Sequence, residues 1–176
     1  MVSRRALGRR ALLGWPAVLA LPGCGLHPLY ASGESGAGPA QEGLGLISVA
    51  IIPDRAGQLL RQALQARFDH GDAPPEKRFD LAVSYKIASE GIGLQFDNTV
   101  TRIRFVGRAS WTLVTREATR ATVTTGNARA VDALNTFDQQ YFAQDIETDT
   151  IQRRIAEGLA DQITAQLAIF FEQHPA

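Results

Sequence analysis

The chain has 176 residues, of which 45% are hydrophobic, and its 18 basic and 18 acidic side chains give a formal net charge of zero. This length is typical of one domain, and the charge balance argues against nucleic acid as a ligand, because nucleic-acid-binding domains usually carry a basic excess. The single cysteine excludes an intrachain disulfide, so the fold depends on its apolar core.

The N-terminal segment has the parts of a bacterial lipoprotein signal. Four arginines among the first ten residues precede an apolar stretch over residues 11–21, which is too short to span a bilayer but suits an export signal. Leu21-Pro22-Gly23-Cys24 follows, with a small residue before the cysteine. We therefore predict that residues 1–23 are a signal peptide and that Cys24 is the first mature residue and carries a covalent lipid. No other cofactor is expected.

Two points about this signal stay open. The cysteine could instead be an unmodified residue behind an ordinary secretory signal, and the arginine pairs fit either the Sec or the twin-arginine export route. Loss of the four arginines with the signal would leave the mature chain with a net charge of −4.

The mature chain is predicted to begin with a lipidated N-terminus and a flexible tether over residues 24–45. Residues 31–43 are small, polar and glycine-rich, a composition that cannot bury enough apolar surface to order itself. Residues 46–176 are then a single domain. Its first strand is predicted over residues 46–52, and Asp54 is placed to cap the amphipathic helix that follows.

The middle of the domain alternates between apolar and polar residues, which predicts half-buried strands over residues 79–89 and 101–115. A threonine-rich strand is predicted over residues 121–131, although its pattern does not assign its faces. A long amphipathic helix is predicted over residues 147–173. This order predicts an α+β two-layer sandwich, in which two helices pack on one face of a four-stranded, mostly antiparallel or mixed sheet.

The uncovered face of this sheet is the candidate binding site. Arg102, Arg104 and Arg108 share it by parity, and Lys86 joins them if the two strands pair, because the apolar faces of both must meet the same helices. Arginines on a rigid sheet can hold phosphates or carboxylates through paired hydrogen bonds. The competing interpretation is a solvated face whose charges protect the sheet.

Catalytic and metal-binding motifs are absent from the sequence. It has no phosphate-binding loop, serine-hydrolase elbow, zinc-peptidase motif or cysteine pair, and its three histidines are far apart in the chain. Neither an enzyme activity nor a metal site is predicted.

A family resemblance rests on four segments: Cys24-Gly25-Leu26-His27-Pro28-Leu29-Tyr30, residues 51–61, residues 99–102 with 109–113, and the C-terminal helix. Together they resemble lipopolysaccharide-assembly lipoproteins of the LptE family, especially those of alphaproteobacteria. The resemblance implies two helices on a four-stranded sheet. It also implies a lipid-anchored protein on the periplasmic side of the outer membrane, which plugs the LptD β-barrel, helps it assemble and assists lipopolysaccharide passage to the outer leaflet. The phosphates of lipid A then become the candidate ligand of Lys86, Arg102, Arg104 and Arg108.

Two other functions remain as alternatives. An auxiliary lipoprotein of an ABC- or MCE-type lipid transport system would share the anchor and the small α+β domain, but would bind a transporter instead of a barrel. A periplasmic enzyme would need a pocket in which titratable groups converge.

Overall fold

A computed structural model describes residues 38–69, 76–94, 100–135 and 141–175. In chain order the elements are α1 (Pro39–Gly45), β1 (Ile47–Val49), α2 (Asp54–Phe68), β2 (Phe79–Leu94), β3 (Val100–Thr115), β4 (Thr122–Asn135) and α3 (Tyr141–Gln173). The strands form one sheet in the order β1-β2-β3-β4, with β1 parallel to β2 and the other neighbours antiparallel. The predicted α+β fold with a four-stranded mixed sheet is confirmed. The predicted signal, Cys24 and residues 24–37 of the predicted tether lie outside the described residues.

The two long helices run in the same direction over one face of the sheet. Arg55 of α2 pairs with Asp149 of α3 at 3.0 Å, and Arg67 pairs with Asp161 at 2.7 Å. The two ion pairs occur in the same order along α2 and α3, which shows that the helices are parallel. Because the pairs are largely exposed, they contribute about 1 kcal/mol or less each, and apolar packing supplies most of the stability.

The apolar face of β3 forms the centre of the core, as its alternation predicts. Phe105, Ala109, Trp111 and Leu113 are all buried. Gly107 keeps this register and lies directly under α3, where an added Cβ would come within 2.3 Å of the Ile155 Cγ2 atom. The absence of a side chain at this position lets the helix approach the sheet closely.

One correction concerns the predicted tether. Residues 39–45 form α1 instead, with Ala40 and Leu44 fully buried. Gly43 packs so closely on the ring of Phe171 that a Cβ there would lie 2.4 Å from its Cγ atom. Small residues, which indicate a tether by composition, here allow a short helix to pack against α3. The folded domain therefore begins at least seven residues earlier than predicted.

Several boundaries also differ from the predictions. β1 is only three residues long, and β2 extends beyond its predicted end at residue 89 to Leu94, with register shifts at Gly91 and Gly93. α3 begins at Tyr141, before the predicted start at residue 147. Asp54 does not cap α2: Pro53 occupies the cap position, and Asp54 is the first helical residue with a φ of 67°. Aspartate tolerates this left-handed conformation better than most residues.

Candidate functional site

Three basic side chains lie in register across the face of the sheet opposite to α2 and α3. Lys86 of β2 is the direct partner of Arg108 of β3, which is in turn the partner of Arg129 of β4. All three are exposed. We call this set the basic row. Adjacent strands lie about 4.8 Å apart, so the row carries three positive charges across about 10 Å.

The charges of the basic row are not neutralised within the described part of the chain. No carboxylate there forms an ion pair with Lys86, Arg108 or Arg129. Two cations of the β3–β4 turn do have a partner: Arg116 and Arg120 both pair with Asp80 of β2, at 3.0 and 3.3 Å. Like charges directly opposite each other on neighbouring strands are destabilising. An anion bound at the basic row would relieve this repulsion.

The basic row crosses an open groove of about 890 Å³. On one side it is flanked by a polar row, and on the other by an apolar row. The polar row is Ser84, Ser110 and Asn127, and the apolar row is Ala88, Val106 and Val131, of which Val106 is only 6% exposed and Val131 lies beyond the lining of the groove. The groove therefore offers hydrogen-bond donors, positive charge and apolar surface in adjacent strips. This combination suits an amphiphile that carries an anionic head group.

The backbone beneath Arg129 is held by α3. The Gln162 side chain accepts a hydrogen bond from the Arg129 N–H at 3.1 Å and donates one to the Arg129 carbonyl at 2.9 Å. One turn further on, Gln166 donates to the Asn127 carbonyl at 3.0 Å and accepts from the Trp111 indole N–H at 3.1 Å. The helix thus fixes the β4 end of the groove.

The four predicted binding residues do not form one cluster. Lys86 and Arg108 are adjacent, as predicted. Arg104 is partly buried and pairs with Glu90 on β2, and its Nε is buried without a hydrogen-bond partner. Arg102 lies opposite Asn135, six residues from Arg108 and thus about 20 Å along the strand. Geometry therefore favours Lys86 and Arg108, and excludes Arg102 from the groove.

Arg129 is the binding candidate that the sequence does not reveal. The inward positions of β4 are Gly126, Ala128 and Ala130, because the indole of Trp111 and α3 fill the space above them. An inner face built from small residues has no clear hydrophobic alternation. The pairing of Arg129 with Arg108 follows only once the β3–β4 register is known.

The groove has no pair of titratable groups of the kind that acid–base catalysis commonly uses among its described lining residues. No histidine, aspartate or glutamate is among its lining residues. In the ranges that the structure describes, no three His, Cys, Asp or Glu side chains lie together as metal ligands would. Burial raises the pKa of the Tyr85 hydroxyl, so this residue is neutral at physiological pH. It lies on the opposite, helix-covered face of β2.

No helix in the described ranges combines the length and apolar character that a membrane span requires.

Comparison with known proteins identifies one family. The family model described as LptE, Lipopolysaccharide-assembly, matches residues 44–167. No curated protein sequence matches the chain.

Solved structures with a similar fold include proteins from three bacteria. A protein from Caulobacter crescentus CB15, described as a candidate lipoprotein, is 24% identical, with coverage of 77% of this chain and 98% of its own and a TM-score of 0.60. Rare lipoprotein B from Shewanella oneidensis is 11% identical, with coverage of 72% of this chain and 95% of its own and a TM-score of 0.53. An uncharacterised lipoprotein B from Nitrosomonas europaea is 17% identical, with coverage of 73% of this chain and 86% of its own and a TM-score of 0.53. At these identities the similarity establishes a shared fold.

Proposed function

The chain belongs to the LptE family of lipopolysaccharide-assembly proteins, and we propose that it acts in the outer membrane as a plug of an LptD-type β-barrel. In this proposal Cys24 carries the lipid that holds the protein at the periplasmic side of the membrane. The folded domain fills the barrel, helps it assemble and assists lipopolysaccharide insertion into the outer leaflet. No covalent bond is made or broken, so the protein is not an enzyme.

The observation that carries this proposal is the basic row. Lipid A presents phosphate groups next to acyl chains, and the groove presents Lys86, Arg108 and Arg129 next to an apolar row. Guanidinium groups bind phosphate oxygens through paired, charge-assisted hydrogen bonds. Each such bond contributes about 1.5–3 kcal/mol. We assign the phosphate-binding role to Lys86, Arg108 and Arg129, with Arg104 and Arg102 outside the groove.

Replacement of the whole basic row by glutamine tests this role. We expect the variant Lys86→Gln/Arg108→Gln/Arg129→Gln to bind purified lipopolysaccharide at least tenfold more weakly, because loss of about 1.4 kcal/mol already lowers affinity tenfold. Affinity would be measured by surface-immobilised lipopolysaccharide binding at fixed ionic strength, and folding by circular dichroism.

The matched control removes the same number of charges elsewhere. In Arg55→Gln/Arg116→Gln/Arg120→Gln the lost cations all have carboxylate partners, and none of the three lines the groove. Equal losses of affinity in both triple variants would show that only net charge matters, and would contradict a site at the basic row.

A further inference from the structure

The two sides of the basic row differ in chemistry along the strand direction. Residues two apart on a strand share a face, so successive rows of this face lie about 7 Å apart. The polar row lies on the side of the β3–β4 turn, and the next row beyond it contains Thr112 and Thr125. The apolar row lies on the other side, next to the ion pair of Glu90 and Arg104. The groove is therefore polar at one end and apolar at the other.

The side chains of the polar row are free to bind a ligand. All three are exposed, and no other described residue forms a hydrogen bond with the Ser84 hydroxyl, the Ser110 hydroxyl or the Asn127 amide. Their backbone is nevertheless fixed by the pairing of β2, β3 and β4 and by Gln166, which donates to the Asn127 carbonyl at 3.0 Å. A rigid set of donors and acceptors loses little conformational freedom when it binds.

We propose that the polar row binds the saccharide of lipopolysaccharide, on the side of the phosphates away from the acyl chains. Sugar hydroxyls both donate and accept hydrogen bonds, and serine hydroxyls and an asparagine amide do the same. The ligand then lies along the strands, with its phosphates at the basic row, its saccharide toward the β3–β4 turn and the start of its acyl chains at the apolar row. This role rests on the proposed function and extends it to the saccharide and to the direction of the bound molecule.

Desolvation disfavours the opposite direction. Acyl chains over the polar row would bury its hydroxyl and amide groups without hydrogen-bond partners, which is costly. Saccharide over Ala88 and Val131 would lie against side chains that cannot form hydrogen bonds. The apolar row is only one residue deep, because Glu90 and Arg104 follow it within about 7 Å. It therefore contacts only the part of each acyl chain that is nearest to the phosphates.

Photocrosslinking of the full-length lipoprotein in detergent tests this direction. The photoreactive residue p-benzoylphenylalanine replaces Ser110 in the polar row or Ala88 in the apolar row, both of which are exposed. Two probes separate the ends of the ligand: deacylated lipopolysaccharide keeps the phosphates and the saccharide, and lipid A keeps the phosphates and the acyl chains without the core saccharide. We expect the yield of adduct with the deacylated probe to be at least fivefold higher at residue 110 than at residue 88. With lipid A we expect the reverse ratio.

Removal of the polar side chains gives a second measurement. We expect the variant Ser84→Ala/Ser110→Ala/Asn127→Ala to bind deacylated lipopolysaccharide at least fivefold more weakly, and its affinity for lipid A to change less than twofold, at fixed ionic strength. The matched control removes three exposed, uncharged polar side chains from α2 and α3. This control, Gln58→Ala/Gln62→Ala/Gln173→Ala, should change neither affinity, and circular dichroism would verify the folding of both variants.

Three outcomes would overturn the saccharide role. The first is a ratio of adduct yields at residues 110 and 88 that is the same for both probes or opposite to the expected one. The second is an alanine triple variant that binds both probes equally weakly, which would assign the polar row to the phosphates. The third is an unchanged affinity of this variant for the deacylated probe. If the glutamine triple variant of the basic row still loses affinity for both probes, the proposed phosphate role stands without the saccharide role. If it does not, both roles are wrong.

Discussion

At Gly107 the helix layer touches the sheet backbone, and a single added side chain would separate them. A Cβ at this position would lie 2.3 Å from Ile155 Cγ2 and 3.3 Å from Leu159 Cδ1, both in buried side chains of α3. We expect Gly107→Val to lower the free energy of unfolding by about 2–4 kcal/mol, through overpacking and displacement of α3. Urea denaturation followed by circular dichroism would measure the change.

Gly158 provides the control for Gly107 within the same interface. A Cβ there would lie 3.5 Å from the Cβ of Ala130, an ordinary contact, and alanine is favoured over glycine inside a helix by about 0.5–1 kcal/mol. Gly158→Ala should therefore stabilise the domain slightly. A neutral Gly107→Val variant would show that α3 does not approach the sheet as closely as the structure indicates.

The binding residues differ in how far the sequence can predict them. Lys86 and Arg108 follow from alternation, because strand residues two apart share a face. Arg104 has the same parity, but its cross-strand neighbour Glu90 neutralises it, and a pairing register is not visible in one strand. Arg129 could be identified as a candidate only once the β3–β4 register was known as well. Parity therefore assigns a face, whereas pairing decides which charges on that face stay free.

At the scale of the elements, the sequence predicts strands and helices with clear periodicity, but it tells less about those built from small residues: β4 was predicted without an assignment of its faces, and α1 was not predicted. β3 and α3 have strong apolar patterns: β3 was predicted to within one residue, and α3 was predicted with its correct end but a start six residues too late. β4 packs Gly126 and Ala128 inward, and α1 packs Ala40 and Gly43. Such residues indicate loops by composition, yet they are buried here because large partners, Trp111 and Phe171, fill the space above them.

The helix α1 gives the sharpest test at this scale, since composition and structure disagree about it. Leu44 is fully buried, so Leu44→Ala should lower the free energy of unfolding by about 2–4 kcal/mol through lost burial and an internal cavity. Glu42 is exposed on the same helix, and Glu42→Ala should change stability by about 0.5 kcal/mol or less. Chemical denaturation of both variants distinguishes a packed helix from a tether. If residues 39–45 were a tether, neither substitution would change the free energy of unfolding.

At the scale of the whole molecule, the two faces of the sheet have separate roles. One face is covered by α2 and α3 and provides the stability of the domain. The other carries the groove and the exposed basic row. A plug in a barrel would bury part of this uncovered face, and its basic row would then lie where lipopolysaccharide passes. The proposed anchor at Cys24 precedes the first described residue by 14 positions, a distance of at most about 50 Å when extended.

The anchor and the barrel partner can be tested together with a tagged, full-length protein purified from detergent-solubilised outer membranes. We expect an LptD-type barrel to co-purify at near-equal abundance, as identified by mass spectrometry. Cys24→Ser should lose the covalent lipid and shift to the soluble periplasmic fraction, because the proposal makes this thiol the attachment point. Its circular dichroism spectrum should be unchanged, since residue 24 precedes α1, the first described element, by 15 positions. The control is the wild-type chain at the same expression level. A normally lipidated Cys24→Ser variant would contradict the anchor, and co-purification of an ABC- or MCE-type transporter without a barrel would contradict the plug.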